Sequence, residues 1–204
     1  MEGGEDRFNL GGAYLGALDR TIDEHWICLH VKSWSYSPTG TGRVDLTLDI
    51  SGDGFRTAGA RRAHEIWSAG PPAEPNLWAA LDSIGRVAWS RATERNLSAR
   101  RTHNAPPGAT FHLDGRHITD VIGFALALGE AMNGPGGDFG ISLDPIDYHL
   151  GMGRGAQRPF TLLWHDHHIA RTCLGRTPLL HERSPSLREI LTFFTERGVE
   201  VLLA

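Results

Sequence analysis

The sequence is poor in cysteine and in lysine. Cys28 and Cys173 are the only thiols among 204 residues, far apart and in no metal-like spacing. That argues against a disulfide framework and for two reduced thiols in a cytoplasmic protein. Lys32 is the only lysine, so arginine supplies almost all of the positive charge. No run approaches the roughly 18 apolar residues needed to cross a bilayer, and the opening MEGGEDRFNLGG lacks the apolar stretch of a signal peptide. No membrane partner is expected. Nor is there an excess of positive charge: 20 basic against 24 acidic residues gives a formal net charge of −4. A chain of that balance has no global attraction for a phosphate backbone, which argues against nucleic acid as a direct partner.

What is present is enough apolar residue, 40%, to bury a real core in one large or two small domains. The first half reads as β-rich. Residues 12 to 19 and 25 to 36 carry β-branched and aromatic residues in partial alternation, and 43 to 50 alternates strictly, with Val44, Leu46, Leu48 and Ile50 on one face. With turn chemistry at 37 to 42 and 51 to 54, this predicts a three-stranded antiparallel meander. Helices are expected over 57 to 68 and 76 to 98, with Gly85 a candidate break in the second. The Pro-containing stretch 99 to 108 is the natural linker, dividing the chain into a β-rich α+β domain, 1 to 107, and a second module, 108 to 204.

The second module alternates strand and helix. Strands are expected at 110 to 115, 159 to 166 and 199 to 204. Helices are expected at 118 to 132, from Ser142 to Leu150, and at 184 to 198, with Asp120 at the start of the first and Ser142 and Pro145 opening the second. Strands joined by helical crossovers imply a small parallel sheet, an α/β fold.

Catalytic chemistry is not signalled. His25, His30 and His64 lack a nucleophile or triad context. The run GGDFGISLD at 136 to 144 lacks the glycine order that wraps a pyrophosphate. In HDHH, at 165 to 168, His165 and His167 would share one face of a strand, yet no HxxEH or CxxC partner stands elsewhere. No catalytic residue, cofactor or resident metal is therefore expected. Trp26, Trp34, Trp67, Trp78 and Trp89 read as core of the first half.

A more specific reading comes from the order of motifs after residue 108. These are a hydrophobic strand ending in LDG, a helix opening with ITD, FGISLDPIDYHL at 139 to 150, a strand ending in Trp164, and the close TERGVEVLLA. Over about 95 residues this resembles the barstar family. Its members carry an aromatic–Gly–x–Asn–Leu–Asp–Ala–hydrophobic segment before an acidic short helix, and here the segment reads Phe139, Gly140, Ile141, Ser142, Leu143, Asp144, Pro145, Ile146 and Asp147.

The resemblance implies a three-stranded parallel sheet with helices and no covalent chemistry. It implies a protein that blocks a secreted or toxin ribonuclease by placing carboxylates in its cationic cleft. The partner-binding residues would be Asp138, Phe139, Gly140, Ser142, Asp144, Asp147 and Tyr148. Asp144 and Asp147, three apart, would project from one side of a helix, with Asp138 in the loop before it. Four departures stand out: Tyr148 occupies the place of a second acid, Asp138 that of an aromatic-rich loop residue before Phe139, Ser142 that of the usual Asn, and Asp147 that of a Trp in some members. They point to an alternative, a diverged interaction module whose partner is not a nuclease. Some of these residues also have plainer roles: Asp144 suits the positive end of a helix dipole, and Phe139 suits a core anchor.

Overall fold

The computed structural model describes residues 28–38, 44–51, 57–96, 104–176 and 184–204. The chain divides into two compact units, Met1–Arg56 and Thr57–Ala204.

In the first unit, strands β1 (Cys28–Tyr36) and β2 (Val44–Ser51) pair antiparallel. The register shifts once. Val31 faces Leu48 and Ser33 faces Thr47, so Lys32 is an extra residue in β1. This bulge puts Trp34 opposite Leu46 and Tyr36 opposite Val44, on the face that the alternation of β2 makes apolar. All four side chains are exposed. Trp34, expected in a core, is therefore a surface residue. The strand expected over 12 to 19 lies outside the described residues.

The second unit opens with α1 (Ala58–Ser68), a 3-10 turn at Leu77–Ala80, and α2 (Ser83–Asn96). The expected single helix over 76 to 98 is thus two pieces. The break falls at Leu81, whose backbone is extended, and not at Gly85. Asp82 restarts the helix: its Oδ1 accepts from the Gly85 N–H at 2.7 Å and from the Thr57 hydroxyl at 3.1 Å. Thr57 caps α1 in turn by accepting from Ala60 N–H. Gly85 has a different purpose. A Cβ there would lie 2.7 Å from the Gly59 carbonyl carbon, so the two glycines let α1 and α2 approach backbone to backbone.

Then follow β3 (Thr110–Asp114), α3 (Val121–Asn133), α4 (Leu143–Gly151), β4 (Phe160–His165), α5 (His167–Cys173), α6 (Leu187–Glu196) and β5 (Val199–Leu203). The three strands form the expected parallel sheet in the order β3-β4-β5. Asp120 caps α3 by accepting from Gly123 N–H at 2.6 Å, and Ser186 with Glu189 forms a reciprocal capping box on α6. Leu113, Phe160, Leu162, Trp164 and Val199 turn one face of the sheet into the core, against Phe124 of α3 and Phe194 of α6.

The boundary between compact units falls between Arg56 and Thr57, whereas sequence placed a domain boundary at 107/108. The physical reason is a shared core. Trp67, Trp78 and Trp89 from the helical segment join the same cluster as Leu126, Trp164 and Phe194. Polar contacts reinforce the junction: Arg86 of α2 reaches Asp120 at 2.9 Å and Thr119 at 3.1 Å, while lying 5.4 Å from the Trp78 ring. Asn76 adopts a left-handed backbone, donates its N–H to Glu130 of α3 and its side-chain amide to Asp114 of β3.

Candidate functional site

The segment that sequence singles out, 138 to 148, is a loop and a helix with two distinct characters. The loop half faces inward. Asp138 is 3% exposed; its Oδ2 accepts from the Ser90 hydroxyl of α2, and its Oδ1 accepts from Gly140 N–H at 2.8 Å. Among the described residues no cation is paired with it. Burial pushes its pKa up to about 7, against the opposing pull of the Ser90 hydroxyl and the Gly140 N–H, and the Glu94 charge adds to the rise. Phe139 is buried in the main core, with its ring 5.6 Å from that of His149. Gly140 is buried at φ +94°, and a Cβ there would sit 2.5 Å from that of Pro145.

The loop is held from the other side as well. Glu130 accepts from Gly136 N–H at 2.8 Å while also accepting from Asn76. Gly129 of α3 leaves room for the Gly137 and Asp138 backbone, which a Cβ would approach to 2.3 Å. Asp138, Phe139 and Gly140 are therefore buried supports of this loop. Inward packing of an Asp in a glycine-rich loop leaves no periodic mark, so sequence could not show it.

The helix half faces outward on one side. Ile146 and Leu150 are buried, while Asp144, Tyr148 and Met152 follow one another at intervals of four and are exposed, Tyr148 at 62% and Met152 at 63%. They form a single ridge. Ser142 precedes the helix with an extended backbone, half-buried, and its side chain makes no capping bond. Asp147 stands off the ridge. Its two oxygens take a forked pair of bonds from Arg197, Nε to Oδ1 at 2.5 Å and Nη2 to Oδ2 at 2.8 Å. Arg197 is itself fixed by donating to the Phe193 carbonyl and by lying over the Phe193 ring at 3.8 Å. The Arg197 guanidinium holds the Asp147 carboxyl below its usual range, and the carboxylate raises Arg197 in return.

Of the three carboxylates expected to converge, one is buried, one is paired and one, Asp144, is exposed without a described ion pair. Cations gather instead: Arg158 adds its field to Asp147, and Arg154 approaches His149 at 3.2 Å. Burial, with the Arg154 charge, lowers the pKa of His149. Sequence reasoning missed Ser90, Arg197 and Met152. Only Met152 left a local signal, its place four residues after Tyr148.

The HDHH run does not lie on one strand. His165 ends β4, Asp166 takes a left-handed backbone, and His167 opens α5. Among the described residues no group of three or more His, Cys, Asp or Glu side chains is placed to hold a metal ion. No described helix is long and apolar enough to cross a membrane. Comparison of the chain with protein-family models, with curated proteins and with solved structures gives no match.

Proposed function

We propose that residues 108–204 form a protein-binding module of the barstar type that shares its core with helices of the 57–96 segment, that α4 is its contact surface, and that the partner is not a nuclease with a purely cationic cleft. The motif resemblance and the order β3-α3-α4-β4-α5-α6-β5 support the scaffold part of this reading. The pairing of Asp147 with Arg197 carries the rest. A carboxylate already bound by a guanidinium in a forked geometry offers little to a second one, since a new pair forms only by breaking the old.

The surface left is the ridge of Asp144, Tyr148 and Met152, flanked by arginines. An exposed Tyr and Met, large and adaptable, are residue types that anchor interfaces by filling apolar pockets. The partner then presents such a pocket with polar or acidic groups around it. Titration of full-length chain against a barnase-like ribonuclease, at low and at high salt, tests this: no stoichiometric inhibition is expected, and Tyr148→Asp improves inhibition. The second reading, a ribonuclease inhibitor, is favoured by Asp144, exposed in the first turn of α4 where the resemblance puts an essential acid. Tight inhibition lost on Asp144→Ala would establish it in place of the first.

A further inference from the structure

We propose that His112 and His165 form a two-imidazole site for one divalent transition-metal ion of the zinc, nickel and copper(II) class. The site lies on the face of the parallel sheet turned away from the core, and it stands independently of the reading of α4.

His112 lies in the middle of β3 and His165 at the end of β4. The register places His112 beside Leu163, and Asp114 beside His165, so both imidazoles belong to the face opposite Leu113, Leu162 and Trp164. His112 Nδ1 and His165 Nε2 are 2.9 Å apart. The ring planes lie within 10° of each other and the centroids are 5.2 Å apart, so the rings meet edge to edge, nitrogen to nitrogen. One nitrogen must carry the hydrogen and the other accept it.

Two imidazole nitrogens that already meet form half of a metal site. With metal–nitrogen bonds of about 2.0 to 2.1 Å in tetrahedral geometry, the nitrogens would part to about 3.3 Å. Small ring rotations supply this change, because His112 is exposed and His165 only half-buried. The backbone need not move. The two strands are held side by side through their ladder, and Gly115 N–H binds the His165 carbonyl at 3.0 Å.

Neighbouring groups define what the site is not. Asp114 is occupied by Arg116, Nη2 to Oδ2 at 2.6 Å, and by the Asn76 amide at 2.9 Å, so it supplies neither a ligand nor much net charge. His167 Nδ1 faces the Ala204 carbonyl at 3.2 Å. The protein therefore gives two ligands, water fills the remaining positions, and the ion exchanges freely. Such a site is compatible with purified protein that carries no resident metal.

The test is calorimetric titration of tag-free, full-length chain with zinc chloride, with copper(II) paramagnetic resonance as a second readout. The expected result is one ion per chain, with hyperfine structure from two imidazole nitrogens. His112→Asn and His165→Asn should each weaken binding about tenfold or more, while His167→Asn and His168→Asn change it by less than about twofold. Thermal melts establish that each variant is folded. The absence of binding at millimolar zinc would overturn the proposal, as would binding of unchanged strength in either His112→Asn or His165→Asn.

Discussion

At the residue scale the decisive facts concern carboxylates. Asp138 titrates near pH 7 when folded and near its ordinary 3.8 when unfolded, so the native chain binds the extra proton between those values. Its contribution to stability is fully present below about pH 4 and is lost as pH rises through 7. In Asp138→Asn the neutral amide can still meet the Ser90 hydroxyl and Gly140 N–H. Urea midpoints of this variant should therefore fall less between pH 5 and pH 8 than those of the parent; identical slopes would show that Asp138 ionises freely. Asp147 runs the other way. Its depressed pKa gives stability at neutral pH that disappears as acid protonates it, and a double-mutant cycle with Arg197→Ala should give a coupling of about 0.5 to 1 kcal/mol for this half-exposed pair. Neither fate was legible in the sequence. Asp144 and Asp147 are correctly three apart on one helix, but what decides their availability is an arginine fifty residues later in the chain.

At the element scale the apolar character of α3, β4, α6 and β5 identifies these elements directly: β4 and α6 each bury one face or stripe in the shared core, α3 is buried nearly all round, and β5 buries Val199. One element, α5, and one contact, between α1 and α2, were hidden. The helix α5 follows His165 without a connecting loop, and its His-rich start reads as a continuation of the strand. The pair α1 and α2 carries its key information in glycines, which sequence reads as breaks. Gly85→Ala separates the two interpretations. Helix propensity alone would stabilise α2 by about 1 kcal/mol, whereas forcing a Cβ against the Gly59 backbone costs about 1 to 3 kcal/mol. Equilibrium denaturation should show a net loss of up to about 2 kcal/mol; a gain would mean that α1 and α2 do not touch there.

At the scale of the whole molecule, the linker-like composition of 99 to 108 and the shared tryptophan core give different boundaries. The core makes the clearer prediction. A fragment of residues 57–204 should melt cooperatively, and one of residues 108–204, stripped of Trp67, Trp78, Trp89 and the Arg86–Asp120 pair, should not. Equal melting of the two by circular dichroism would restore the later boundary. Of the supports beneath the surface, Phe139 belongs to that same core and Asp138 and Glu130 are buried, which would hold the ridge above them in place for the proposed contact. The most direct measurement is the affinity of full-length chain for the protein it retains from its own cell, titrated for the parent, Tyr148→Ala and Asp147→Ala. The account predicts a loss of about thirtyfold for Tyr148→Ala and little change for Asp147→Ala; the reverse order, with Asp147 dominant and Tyr148 silent, would contradict it.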